Sequence, residues 1–260
     1  QRRAMVRDTL KPTLKVYIEH SNEVWNGQFS QAGYAAQRGL ALGLSGNSYE
    51  AQLRYHSRRS VEMFTLWHNV FGNSNRFVRV LAAQSANPWT GTTIMSWQNA
   101  YTQADALAIA PYFGGHLGNP GTQTTVAAMT IPQIHAQCAN DIAGSVTTWI
   151  SQNATEATAR GLDLIAYEGG QHMVGTGGAE NNTTLSNLLM AANRDAGMKP
   201  LYAQYLAAWR ANGGRMFANF SSVGQYSKWG SWGVLEYDDQ NSGPKYDALL
   251  DFITANPKWW

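Results

Sequence analysis

Lys15-Val16-Tyr17-Ile18-Glu19-His20-Ser21-Asn22-Glu23-Val24-Trp25-Asn26 is a short β-rich run that stops on an Asn-Glu pair. Val16, Tyr17 and Ile18 follow a break at Pro12, and an apolar run of that length suits a strand buried on both faces. Such strands belong to parallel sheets. Ligands collect at the carboxyl ends of parallel strands, so Glu23, just past this strand, is a candidate reactive group. The arrangement recurs in Leu162-Asp163-Leu164-Ile165-Ala166-Tyr167-Glu168-Gly169-Gly170-Gln171-His172, where an apolar run ends on Glu168 and then loosens into glycines. A lone strand-end glutamate reads as a solvated or salt-bridged loop carboxylate. Two on one rim are the minimum equipment for hydrolysing a glycosidic bond, one as proton donor and the other as nucleophile or base.

Working outward, Arg2 to Leu10 reads as a helix end, and Gly27 to Ser45 as a loop with a short helical piece. Asn47 with Glu50 three residues later predicts a capping box opening a helix that Gly72-Asn73 stops. The second strand is Phe77 to Ala83, interrupted by Arg79, and Gln84 and Trp89 lie in the polar and aromatic loop after it. Ala106 to Ala110 is the third strand, running into Pro111-Tyr112-Phe113-Gly114-Gly115-His116. Thr130-Ile131-Pro132 caps a long helix carrying Ile134, Cys138 and Ile142 on one stripe, which makes Cys138 a buried, inert thiol. Leu162 to Tyr167 is the fourth strand, and Gly169 to Gly178 reads as a mobile rim loop without the lysine of phosphate-cradling motifs. A helix around Leu185, a break at Gly197 and Pro200, and a helix from Leu201 to Trp209 lead to a fifth strand, Arg215 to Phe220. Ser221 to Asp239 is a long loop bearing Trp229 and Trp232, and Pro244 opens the last helix. Five strands alternating with helices predict an α/β fold with a parallel sheet and right-handed crossovers.

Ser21-Asn22-Glu23 after one strand and Tyr167-Glu168-Gly169 after another resemble the retaining glycoside hydrolases of the (β/α)8-barrel clan, a cellulase- and hemicellulase-like group. The likeness runs from about Lys15 to Phe252. It implies that Glu23 is the acid/base at the end of strand four, that Asn22 binds the sugar 2-hydroxyl, and that Glu168, ending strand seven, is the nucleophile. Retaining enzymes hold the two carboxyl groups about 5 Å apart. It implies also that Tyr112 holds the nucleophile, the other reading being a ring packed over the barrel mouth, and that Trp229 or Trp232 stacks on sugar. Gln84, Trp89, His116 and His172 are rim candidates. The chain then corresponds to a partial TIM-type barrel, a single domain over residues 1–260 with five parallel strands matching strands four to eight and lacking the first three βα units. Five strands cannot close a barrel, so either an upstream segment or a second copy of the chain is expected to cover the exposed strand edges.

The bulk properties agree with that class. A chain of 260 residues with 44% hydrophobic content supports one sizeable core, and no run reaches the length of a membrane span. Charged residues make up 14%, against roughly 25% in ordinary domains, and the net charge of +2 has no basic cluster beyond Arg2-Arg3 and Arg58-Arg59. Nucleic acid and membrane are not expected partners; a polysaccharide or oligosaccharide is. Ten tryptophans suit stacking on sugar rings and equally suit a large core. The expected activity is hydrolysis of a β-glucan or hemicellulose by a secreted enzyme, with a carbohydrate-binding barrel remnant as the alternative. No cofactor or metal is expected. His20, Glu23, His116 and His172 are zinc-compatible types, but their spacing matches no recognised ligand pattern.

Overall fold

The computed structural model describes residues 2–259. In chain order the elements are α1 (Arg2–Thr9), β1 (Val16–Glu19), α2 (Ser30–Ala41), α3 (Ser48–Phe71), β2 (Phe77–Ala82), α4 (Pro88–Ser96), β3 (Ala106–Ile109), α5 (Gln123–Ala127), α6 (Ile131–Asp141), α7 (Thr147–Thr158), β4 (Asp163–Ala166), α8 (Thr183–Arg194), α9 (Met198–Ala211), β5 (Gly214–Phe217) and α10 (Pro244–Ala255). The fold is α/β, with a five-stranded parallel sheet in the order β1-β2-β3-β4-β5. No helix among the described residues is long and apolar enough to cross a membrane. Two compact units divide the chain, Gln1–Ala110 with Gln152–Tyr167, and Pro111–Ser151 with Glu168–Trp260.

In the first unit β1 to β4 pair in parallel, with Val16 opposite Phe77, Val80 opposite Ala106 and Ala106 opposite Asp163. Leu81, Leu107 and Ile109 are wholly buried, as are Leu53 on α3 and Met95 on α4. Arg79, the charge inside the second apolar run, makes a bidentate ion pair with Asp105, at 2.9 and 2.6 Å, which satisfies a guanidinium on the sheet. The predicted loop after Gly27 contains a full three-turn helix, α2. At Gly39 an added Cβ would come within 2.2 Å of the Ala51 carbonyl oxygen. Glycine there lets α2 lie hard against α3, so it is a packing residue rather than a loop signal.

The second unit is built on aromatic packing. Phe113 lies 5.1 Å from Tyr205, Tyr205 5.5 Å from Phe217, and Phe217 5.3 Å from Trp209, all at steep interplanar angles. Edge-on pairs of this kind add stability beyond their buried area. Trp209 Nε1 donates to the Arg215 carbonyl at 2.9 Å and Tyr205 Oη to the Pro111 carbonyl at 2.8 Å. Two boundary expectations need correction. Pro200 does not interrupt a helix: it sits in the first turn of α9, where the amide hydrogen it lacks has no helical partner anyway. The fifth strand runs Gly214–Phe217 rather than Arg215 to Phe220; beyond it the chain leaves regular strand geometry, and the Phe220 amide donates to the Gly169 carbonyl at 2.9 Å.

Candidate functional site

Glu23 lies four residues past the end of β1 and is partly buried, as is Asn22. Three contacts hold the turn. Val24 is buried with Ala35 and Tyr55 in a small cluster that Leu44 joins; the Val24 carbonyl accepts from Gln52 Nε2 at 2.5 Å; and Glu23 Oε2 accepts from Asn26 Nδ2 at 2.9 Å. On the strand side, His20 Nδ1 is 3.3 Å from His56 Nδ1 of α3. One ring must donate and the other accept, so at least one of the two imidazoles is neutral. Burial first, and the neighbouring His20 second, push His56 down to about 3, and burial likewise lowers His20. Gln84 and Trp89 follow β2 in the same unit; Trp89 is exposed and stacks on Tyr49 at 6.0 Å.

The second unit holds the six other candidates, Tyr112, His116, Glu168, His172, Trp229 and Trp232. Glu168 is partly buried two residues past β4. Tyr112, His172 and Trp232 form a triangle of edge-on rings, with centroids 5.5 Å apart for Tyr112 and His172, 6.0 Å for Tyr112 and Trp232, and 5.1 Å for His172 and Trp232. Phe220, which the sequence did not single out, joins at 5.8 Å from Trp232. Trp229 is the most exposed of the loop tryptophans, at 65%, and its carbonyl accepts from Trp232 Nε1 at 2.9 Å. His116 is exposed and lies 3.6 Å from Asp141 Oδ2, whose side chain holds its imidazolium form and raises its pKa. His172 goes the other way, lowered by burial. Among the described residues no group of three or more His, Cys, Asp or Glu side chains is placed to hold a metal ion. Cys138 is buried beside Met173, and burial pushes its thiol up to about 12.

The Gly169–Gly178 segment is not the mobile rim loop its composition predicts, because most of it is built into the second unit. Gly169, Gly170, Gln171, Met173, Val174 and Gly175 are buried, and only Thr176, Gly177 and Gly178 are exposed. The Gly170 carbonyl accepts from the Phe113 amide at 3.0 Å, the His172 amide donates to the Phe113 carbonyl at 2.7 Å, and the Thr176 amide donates to the Gly118 carbonyl at 3.0 Å. An added Cβ on Gly118 would meet the Val174 oxygen at 1.7 Å. These glycines serve close backbone approach.

Three side chains escaped the sequence reading: Gln171, Asn193 and Lys245, all nearly or wholly buried. Lys245 stands second in α10 after Pro244, a place where a lysine reads as solvated; only long-range packing buries it. No family model matches this chain, and neither a curated protein nor a solved structure matches it significantly.

Proposed function

We propose that the chain is a retaining β-glycosidase acting on a β-glucan or hemicellulose, built on the C-terminal part of a (β/α)8 barrel. Its strands β1 to β5 would correspond to the clan's strands four to eight. The observation that carries the reading is that β1 and β4 run parallel in one sheet, so that both end at the same edge. Asn22-Glu23 follow the first of these ends and Tyr167-Glu168 the second. In the proposed reaction Glu23 gives its proton to the leaving oxygen as the Glu168 carboxylate bonds to the anomeric carbon. Water then attacks that carbon, Glu23 takes the water's proton, and the bond to Glu168 breaks. Asn22 binds the 2-hydroxyl, Tyr112 holds Glu168, and Trp229 or Trp232 stacks on a sugar ring.

The test is turnover of aryl β-cellobioside and β-xylobioside with the anomeric configuration of the first product followed by proton NMR. Wild type is expected to release the β-anomer. Glu168→Gln is expected to lower kcat by about a thousandfold or more. Glu23→Gln is expected to lose about 100- to 10,000-fold with poor leaving groups and far less with activated ones. Release of the α-anomer, or a Glu168→Gln enzyme with undiminished turnover, defeats the mechanism. Oligosaccharide binding without any turnover by wild type would favour the carbohydrate-binding alternative.

A further inference from the structure

Lys245 is wholly buried at the start of α10. Three costs attach to that placement. An ammonium loses its hydration there, the positive end of a helix dipole repels it, and no carboxylate among the described residues forms an ion pair with it within 4.0 Å. Burial pulls its pKa from 10.5 to about 7, Glu236 partly opposing the shift. A position this unfavourable needs a compensating role, and the contacts of Nζ indicate which. It donates to the Ser231 carbonyl at 2.5 Å and to Asn193 Oδ1 at 3.3 Å, and it sits 4.4 Å over the Tyr226 ring.

The Ser231 carbonyl accepts a second donor, Gln171 Nε2, at 2.8 Å. Gln171 Oε1 in turn accepts from the Met173 amide at 2.7 Å, and Asn193 Nδ2 reaches it at 3.5 Å. Ser231 precedes Trp232, while Gln171 and Met173 flank His172. One carbonyl thus ties together the two segments that carry Trp232 and His172, whose rings meet at 5.1 Å.

We propose that Lys245 is a positioning residue: through the Ser231 carbonyl it fixes Trp232 against His172 and so shapes the ring surface that receives the sugar. The proposal rests on the glycosidase reading for its ligand and on the second unit's geometry for its mechanism. Lys245→Met keeps the length of the side chain and removes its donors; Lys245→Gln keeps a donor at shorter reach. The protein is labelled with 5-fluorotryptophan, the Trp232 fluorine resonance being assigned by its loss in Trp232→Phe, and kinetics are measured on cellotetraose and xylotetraose.

In Lys245→Met the Trp232 resonance is expected to shift and broaden. KM is expected to rise about tenfold with kcat changed less than twofold, as follows when only binding is lost, and Lys245→Gln is expected to fall between. The melting temperature is expected to stay near the wild-type value or rise, since a costly buried charge has been removed. A merely structural lysine would lower it and leave KM in the folded protein unchanged. A wild-type Trp232 resonance in folded Lys245→Met overturns the proposal, as does an unchanged KM; if Lys245→Met does not fold, Lys245→Gln is held to the same criteria. Should wild type hydrolyse neither substrate, the glycosidase reading fails while the Trp232 resonance still decides the role of Lys245.

Discussion

In the first unit the strand-end turn bearing Asn22 and Glu23 rests beside a pair of imidazoles, whereas in the second the Trp232 loop rests on an ammonium. The two solutions differ in what burial does to the charge. His56 sheds its proton when buried and at neutral pH is an uncharged ring 3.3 Å from His20, so it adds little electrostatic cost. Lys245 near neutral pH remains partly protonated under the same burial, with Glu236, itself paired to Arg194, opposing the loss of its proton and Tyr226 beneath it. What the ammonium gains is donors: a ring pair can set the angle of two rings, but only a group with several N–H bonds can pin a backbone carbonyl and an amide side chain together. A neutral pair suits a fixed turn; a donor with several N–H bonds suits a junction where two segments meet.

The pH dependence of stability separates the two most widely. Both groups bind fewer protons folded than unfolded, so in each window stability rises with pH, by at most about 1.4 kcal/mol per pH unit. For His56 the window runs from its folded value of about 3 to its ordinary 6.5, and stability is lost as pH falls through it. For Lys245 it runs from about 7 to 10.5, and stability is gained as pH rises. The buried Tyr202, Tyr205 and Tyr226, all raised above 10, reverse that slope only at the alkaline end. Urea midpoints should depend less steeply on pH from 5 to 6.5 in His56→Gln, where the likewise lowered His20 and His172 keep part of the slope, but not in Lys245→Met, and less steeply from pH 7 to 9.5 in Lys245→Met but not in His56→Gln. If either variant flattened both windows, the two groups would not be acting separately.

A smaller effect probes how the His172 segment is held. Gly118→Ala would drive its Cβ into the Val174 oxygen, and relief by backbone movement costs about 1–3 kcal/mol. Gly121, with nothing within 4 Å of its Cβ position, is the control. Equal melting temperatures for Gly118→Ala and Gly121→Ala would mean that residues 173–175 yield freely, and the tightly built segment described above would be wrong.

The strands were legible because each is a short apolar run closed by a change of composition: β1 to β4 lie within a residue of the predicted spans. What escaped was set by distant partners. Gly39 and Gly175 read as looseness from sequence, yet each marks backbone passing close to another segment; nothing nearby in the chain distinguishes the two uses. Lys245 follows Pro244 as a solvated helix start would, and its burial is created by Ser231, Asn193 and Tyr226, between 14 and 52 residues away. The aromatic triangle was half visible: Tyr112, His172 and Trp232 were each singled out by position, but their mutual packing, and Phe220 beside them, depends on the fold.

The smallest expected effect compares the helix starts of the two units. Asn47 and Glu50 were predicted as a reciprocal box, but only one half forms: Asn47 Oδ1 accepts from the Glu50 amide at 2.9 Å. The Glu50 carboxylate is taken by Ser45 Oγ at 2.5 Å and Arg54 at 2.6 Å instead. Thr130 and Gln133 in the second unit close the box, the Thr130 amide donating to Gln133 Oε1 at 2.8 Å. Removing a cap side chain costs about 1 kcal/mol, so Asn47→Ala and Thr130→Ala should each lower the urea midpoint slightly. Their partners should differ. Gln133→Ala removes the other half of a box and should cost a few tenths of a kcal/mol through the Thr130 amide. Glu50→Ala should act through Arg54, whose second contact is the Leu44 carbonyl at 2.6 Å, and so should couple to Arg54→Ala in a double-mutant cycle while adding independently to Asn47→Ala. Coupling of Glu50 to Asn47 instead would restore the reciprocal box and remove this difference between the units.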